Sequence, residues 1–117
     1  MTTPALNTVS DTFALTTPLY YVNGRPHIGS AYTTMAADAL ARFYRLRGRS
    51  VLSITGTDEH GQKIERTAQS RNIAPQLHCD EMVGEFNRLW EKLNIQYDRF
   101  SRTTTPRHHF IVKEFFQ

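Results

Sequence analysis

Two short loops contain the residues best suited to chemistry, and the first is built around His27 and Gly29. Pro26 precedes them, and they lie where a β-prone run gives way to apolar residues at helical spacing. The first turn of a helix leaves backbone N–H groups unpaired at the positive end of the dipole, which suits an anion. A histidine that donates a hydrogen bond, beside a glycine that leaves room for a flat ligand, therefore predicts a nucleoside phosphate site. The alternative is an ordinary helix start, with His27 on the surface and Gly29 in a turn.

The second loop carries Asp58, Glu59 and His60 after another β-prone run. In open α/β sheets ligands bind beyond the carboxyl ends of the strands, so the two loops would share one pocket if their strands are neighbours. An uncompensated Asp58 in that pocket would attract a cation such as an ammonium group. The alternative is that Asp58 caps the following helix and Glu59 is solvated. A metal site is disfavoured, because three consecutive residues cannot converge on one ion from regular structure.

The elements that must position these loops follow from hydrophobic periodicity. The pattern predicts strands over 13–17 and 51–55, a β-prone run over 97–103, and helices over 28–46, 62–71, 75–93 and a last one that is capped by Thr105-Pro106 and continues through 116. A strand, a long helix and a second strand form a βαβ unit, which requires a parallel sheet. The first helix is expected to bury one apolar face, made of Ile28, Ala31, Tyr32, Met35, Ala36, Ala39, Leu40 and Phe43.

Composition limits the class of protein. The 117 residues suffice for one domain and carry a net charge of +3, which permits nucleic-acid contact without arguing for it. A single cysteine, Cys79, excludes an internal disulfide and is expected to be buried, as is Trp90. Residues 1–11 resemble neither a secretory signal nor a membrane anchor and are predicted to be a flexible tail. The remaining histidines, His78, His108 and His109, are expected on helix surfaces away from both loops, and the compartment is expected to be cytoplasmic.

Two longer motifs in register make the sequence recognisable. They are TTPLYYVNGRPHIGSAYTT (16–34) and ITGTDEHGQKI (54–64), supported by ALARFYRLRG (39–48) and RTT (102–104). From about Leu15 to its end the chain resembles the amino-terminal part of the methionyl-tRNA synthetase family, which are class I aminoacyl-tRNA synthetases. The dinucleotide-binding Gly-x-Gly-x-x-Gly and the P-loop are both absent from the sequence.

The resemblance implies an α/β fold: the amino-terminal half of a class I Rossmann-like domain, with parallel strands and crossover helices, occupying residues 12–117 and truncated. It implies that Pro26, His27, Gly29 and Ser30 bind ATP and that His27 and Ser30 act in catalysis. Leu19, Tyr21 and Asp58 match positions that bind methionine, with Asp58 holding the α-ammonium. The family usually has a second histidine where this chain has Ser30. Ser30 is expected to donate to the phosphate or to cap the helix, so Ser30→His should change ATP affinity or the adenylation rate.

The implied reaction is ATP-dependent activation of methionine to methionyl-adenylate, with Mg²⁺ accompanying ATP, followed by transfer to tRNA(Met). No membrane partner is expected. The family's lysine-rich second signature is absent from these 117 residues, so this stretch alone is expected to be inactive, and a zinc ion would belong to the missing part of the chain. The apolar residues near the end, at 110–116, likewise suggest a chain cut from something longer. The alternatives are a synthetase for leucine, isoleucine, valine or cysteine, a small nucleotidyltransferase, or a non-catalytic truncated paralogue that contacts tRNA or a protein.

Overall fold

One long strand lies in the middle of a parallel sheet and organises the other elements. The computed structural model describes residues 12–117, so the expected tail at 1–11 lies outside the described residues. The elements are β1 (Thr12–Thr16), β2 (Tyr20–Tyr21), α1 (Ile28–Leu46), β3 (Ser50–Asp58), α2 (Gln62–Ser70), α3 (Pro75–Lys92), β4 (Arg99–Arg102) and α4 (Pro106–Phe115). Strand β3 pairs in parallel with β1 and β2 on one edge and with β4 on the other. The predicted parallel βαβ unit is therefore confirmed.

Along one edge of β3, the neighbouring strand is interrupted once, between β1 and β2. Thr16 pairs with Ile54 and Tyr20 pairs with Thr57, so four steps along the first strand match three along β3. The extra residue falls beside Pro18, which has no N–H to give to a ladder. Pairing then resumes as the two-residue strand β2, which the sequence pattern did not predict. The interruption places Tyr20 and Tyr21 against the carboxyl end of β3.

Helix termini agree with the sequence signals. Helix α1 begins and ends where periodicity predicts, and Gly48 adopts the positive φ of 77° that follows its last turn. Helix α4 is capped by Thr105, whose hydroxyl accepts a hydrogen bond from the His108 amide at 3.3 Å, and Pro106 occupies its first turn. Helix α4 therefore starts at the cap signal that the sequence carries, and α1 stops before the glycine that follows it.

The core lies between the sheet, α2 and α3. Its buried apolar residues are Val22, Ala31, Ile64, Cys79, Val83, Phe86, Trp90 and Ile95. Cys79 and Trp90 are 2% and 1% exposed, which confirms their predicted burial. Tyr20 joins this cluster to α1, because its ring stacks on Phe86 with 5.7 Å between centroids and its hydroxyl is 2.8 Å from that of Thr34.

The predicted buried face of α1 is mostly wrong. The buried residues of the helix are Ser30, Ala31, Thr34 and Ala41, which are small and let the helix lie close to the sheet. Ile28 and Tyr32 are instead 84% and 75% exposed. Periodicity finds an apolar face but does not say whether residues 12–117 cover it. None of the described helices is both long and apolar enough to cross a bilayer.

Candidate active site at the carboxyl end of the sheet

A cleft of about 390 Å³ opens where β2 and β3 end. Tyr21 and Asp58 are direct partners in the parallel register, so both side chains are brought to its mouth. The residues that line it are Tyr21, Asn23, Asp58, His60, Gly61, Gln62, Lys63 and Ile64. Tyr21 is 66% exposed, so its ring offers an open apolar surface to a ligand. The structure therefore brings together two of the three side chains expected to bind methionine.

Asp58 is half-buried and only loosely engaged. Its Oδ1 atom lies 3.4 Å from the amide nitrogen of His60 and 3.4 Å from the hydroxyl of Thr103, and no ion pair involves it among residues 12–117. Helix α2 is instead preceded by Gly61, at φ 121°, with no side-chain cap. The alternative in which Asp58 caps α2 is therefore wrong. Its carboxylate keeps lone pairs for a cation in the cleft.

Glu59 behaves in the opposite way, and the alternative that it is solvated is also wrong. Its carboxylate accepts hydrogen bonds from Thr57 at 2.6 Å, from Arg102 Nε at 2.6 Å and Nη2 at 3.0 Å, and from Thr104. Burial alone would raise the pKa of Glu59, but the bonds from Arg102, Thr104 and Thr57 outweigh it and hold that pKa below its ordinary value. Glu59 is thus a fixed anion with its charge compensated.

His27 is the N-cap residue of α1 rather than part of its first turn. Its Nδ1 atom accepts a hydrogen bond from the amide of Gly29 at 3.1 Å. Because Nδ1 acts as the acceptor, the ring proton is on Nε2, and the exposed imidazole offers Nε2–H as a donor. The first turn of α1 contains no acidic residue, so the positive end of the helix dipole is uncompensated there.

Ser30 is committed to the same cap. Its hydroxyl accepts from the His27 amide at 3.1 Å and donates to the His27 carbonyl at 2.7 Å, and the residue is 3% exposed. Of the two roles expected for Ser30, the geometry is that of a capping residue. The hydroxyl proton of Ser30 is thus already used in a bond to the His27 backbone.

The remaining predicted residues lie around these two groups. Leu19 is 39% exposed and precedes β2, whereas Pro26 lines a separate groove with Arg25 and residues of α3. Neither Leu19, His27 nor Gly29 lines the cleft that Tyr21 and Asp58 share. The two groups lie at the same end of the sheet, because β2 ends at Tyr21 and α1 begins at Ile28.

His78 is a correction to the sequence interpretation, since it is 2% exposed rather than a surface residue. Its Nε2 donates to the carbonyl of Val22 at 2.8 Å, and its Nδ1 accepts from Arg71 at 2.8 Å. It therefore anchors the start of the loop that follows β2. Its helical spacing with Met82 and Phe86 was a signal for this burial. His109 is also not remote, because its ring centroid lies 5.9 Å from that of His60.

Several residues in or near the cleft were given no role in the sequence analysis. His60 and Lys63 line the cleft, and Lys63 brings a positive charge to the face that holds Asp58. His60 Nε2 donates to the carbonyl of Thr103 at 3.2 Å. Arg102 and Thr104 entered the sequence analysis only as part of the RTT run (102–104). Their bonds to Glu59 were not predicted, because these residues lie far from Glu59 along the chain.

Known proteins match nearly all of the residues that the structure describes. Residues 13–117 match the family model described as tRNA synthetases class I (M). The chain is 72% identical over 109 residues to a methionine–tRNA ligase of Thermosynechococcus vestitus and 70% identical over 111 residues to one of Nostoc. These alignments cover 93% and 95% of the chain but 21% of each relative.

A solved structure of similar fold is methionyl-tRNA synthetase of Mycobacterium tuberculosis in complex with methionyl-adenylate. It is 40% identical, with a TM-score of 0.88, and the match covers 91% of this chain and 21% of that one. The chain thus spans about a fifth of the length of the relatives it matches.

Proposed function

The chain belongs to the class I tRNA synthetases of the methionine type, and on that premise we propose that it is the amino-terminal part of the catalytic domain of a methionine–tRNA ligase. The whole enzyme would activate methionine with ATP to methionyl-adenylate and transfer the methionyl group to tRNA(Met). The described residues 12–117 would form one incomplete domain, in a cytoplasmic protein. The observation that carries the proposal is the pairing of Tyr21 with Asp58 at the mouth of one cleft.

The cleft suits an amino acid with an apolar, sulfur-containing side chain. Asp58 would hold the α-ammonium, because its carboxylate has no ion-pair partner among residues 12–117. Tyr21 would contact the thioether from within the cleft, where a sulfur–aromatic contact contributes about 0.3–1.5 kcal/mol. Leu19 would bind the same side chain from outside the residues that line the cleft. Lys63, in the same cleft, provides the opposite charge that a zwitterion also needs. In support, the similar Mycobacterium tuberculosis structure is a complex with methionyl-adenylate.

The start of α1 would bind the phosphates of ATP, with Mg²⁺ as part of that substrate. His27 would donate its Nε2–H to a phosphate oxygen, Gly29 would leave space for the adenine, and Pro26 and Ser30 would hold the turn. The methionine carboxylate would attack the α-phosphorus and pyrophosphate would leave. Fixed donors and the helix dipole would stabilise the negative charge that develops in this step. Among residues 12–117 no three His, Cys, Asp or Glu side chains are grouped to hold a metal ion.

The test is amino-acid-dependent ATP–pyrophosphate exchange by the full-length protein. We expect exchange with methionine, and none with leucine, isoleucine, valine or cysteine. Asp58→Asn, which keeps the shape and removes the charge, should raise KM for methionine roughly 30-fold or more, as expected when one partner of a close charge pair is lost. Glu91→Gln on the exposed side of α3 is the control. Exchange driven by another amino acid, or an unchanged KM in Asp58→Asn, would contradict the proposal.

A further inference from the structure

The most completely bonded carboxylate among the described residues faces away from the cleft. The side chain of Glu59 is 0% exposed and accepts from Thr57, Thr104 and both arms of the Arg102 guanidinium. Both of its oxygens are used, so Glu59 has no capacity left for a substrate. A role for it must act through another residue.

Its neighbours in sequence are the residues that line the cleft. Successive side chains of a strand point to opposite sides, so Thr57 and Asp58 at the end of β3 lie on opposite sides, and it is the hydroxyl of Thr57 that donates to Glu59. Both Asp58 and His60 line the cleft, whereas Glu59 does not. The direction of Asp58 is therefore coupled to the direction in which Glu59 is held.

The 58–60 segment is also hydrogen-bonded to Thr103, the residue that follows β4. The Glu59 amide donates to the hydroxyl of Thr103 at 2.8 Å, and the His60 ring donates to the Thr103 carbonyl at 3.2 Å. Arg102 in turn forms an ion pair with Asp80 of α3. The ends of β3 and β4 and the side of α3 thus meet at one guanidinium.

An ion pair of this kind adds little stability over an apolar replacement of both residues, although removing one partner alone is destabilising. Removing two charges from water costs free energy that their attraction only partly returns, so well-packed apolar residues often serve a fold equally well. A bidentate arginine–carboxylate pair does fix direction, because its two parallel bonds allow one planar geometry. It also neutralises Glu59, so that Asp58 is left as the uncompensated carboxylate of the loop.

We propose that Glu59 and Arg102 are positioning residues that aim the carboxylate of Asp58 into the amino-acid cleft. The inference rests on the proposed function, since it concerns the same methionine site. Loosening the pair lets the 58–60 segment turn, and Asp58 then meets the α-ammonium at the wrong distance. The binding of ATP, at the start of α1, does not depend on this pair.

The experiment is steady-state ATP–pyrophosphate exchange by the full-length protein with Glu59→Gln and Arg102→Lys. In Glu59→Gln an amide N–H faces donors of Arg102 and Thr104, and Arg102→Lys removes the bidentate geometry while keeping the charge. A displacement of about 1 Å is enough for large losses, so we expect KM for methionine to rise about tenfold or more, with KM for ATP changed less than about twofold. Glu81→Gln, which breaks an exposed Arg–Glu pair between α3 and Arg71, is the matched control and should leave both values unchanged.

The outcomes separate this inference from the proposed function. A wild-type protein without methionine-dependent exchange contradicts the proposed function and removes the basis of the inference. A wild type that is active, with variants whose KM for methionine is unchanged or rises together with KM for ATP, overturns the inference alone. If neither variant folds, as judged by thermal unfolding, the pair is a stability element and the positioning role is wrong.

Discussion

At His27, one hydrogen bond decides which ring nitrogen carries the proton. Because the Gly29 amide donates to Nδ1, the exposed Nε2 carries the proton. Ser30 holds the backbone of His27 by two further bonds, so the point from which this ring extends is fixed. The residue that replaces the family's usual second histidine thus contributes orientation and no charge.

Gly29 leaves room for the ring of His27 in its observed position. A Cβ at residue 29 would lie 2.9 Å from Cε1 and 3.1 Å from Nδ1 of that ring. The exposed ring can swing away, so Gly29→Ala should leave the unfolding temperature nearly unchanged. The displaced donor should lower kcat of pyrophosphate exchange by the full-length protein by about 10- to 100-fold.

The control for Gly29→Ala lies in the same loop. A Cβ at Gly24 meets no heavy atom within 4 Å, so Gly24→Ala should leave kcat unchanged. If Gly29→Ala raises KM for ATP while kcat is preserved, crowding of the adenine is the cause, and the account based on His27 is wrong.

The sequence predicted contacts between candidate site residues where the two residues end neighbouring strands. Tyr21 and Asp58 end two strands of one βαβ unit, so their meeting follows from the topology. The contact between Glu59 and Arg102 joins β3 to β4 across 43 positions of the chain. No local pattern specifies it, and an acidic residue beside Asp58 appeared as a solvated side chain.

Among the elements, β3 depends on close contact with β4 at one residue. Gly56 lies opposite Ser101 in the register, and a Cβ there would be 1.9 Å from the Ser101 carbonyl oxygen. Since the obstacle is backbone, β4 must move away for Gly56→Ala to fold. We expect a loss of about 3 kcal/mol or more in the free energy of unfolding, measured by chemical denaturation.

Gly84 provides the matched comparison on α3. An added Cβ there has Arg88 Nη1 as its nearest atom at 3.6 Å, an ordinary contact. Gly84→Ala should therefore stabilise the protein by about 0.5–1 kcal/mol, as expected for a glycine inside a helix. Equal stability of the two variants would show that the contact between β3 and β4 is not close at Gly56.

Helix boundaries and the parallel sheet were predictable because caps, glycine stops and periodicity are local. Strand β2 was not, since two residues carry no period and the break at Pro18 hides the resumed pairing. The burial of α1 failed for another reason. Its large apolar residues were taken to face the core, whereas the small residues Ser30, Ala31, Thr34 and Ala41 do. Close packing on a sheet favours small side chains, which hydrophobic periodicity does not single out.

At the scale of the whole molecule, two apolar surfaces are left uncovered by residues 12–117. One follows α1 from Ile28 to Leu46, which are 84% and 89% exposed, and the other is α4, where no residue is buried. Surfaces of this kind mark interaction sites or liabilities for aggregation. The matched relatives are about five times longer than the aligned stretch, so they contain further residues that could cover such surfaces.

Two carboxylates bind β3 to the segments at the two ends of β4, so protonation at acidic pH should weaken both connections. Hydrogen bonds from the backbone and side chain of Ser53, together with Arg45, hold the pKa of Asp98 below its ordinary value of 3.8. The pKa of Glu59 lies below 4.5, because its bonds from Arg102, Thr104 and Thr57 outweigh its burial. Asp98 ties the connection before β4 to β3 and α1, and Glu59 ties β3 to the segment after β4.

The carboxyl groups of Glu59 and Asp98 both have a lower pKa in the folded protein, and this fixes how stability depends on pH. Each contributes stability in full above the pKa of the unfolded carboxyl, and loses it as the pH falls through the folded value. The unfolding temperature of the chain should therefore be level from about pH 7 to about pH 5 and fall at more acidic pH. Glu59→Gln and Asp98→Asn should each start lower and fall less steeply, because each removes one titrating group. Two results would show that these carboxylates do not hold the segments around β4 in place. One is an unfolding temperature that has already fallen fully above the ordinary carboxyl pKa values, and the other is a pH slope identical to that of wild type in both variants.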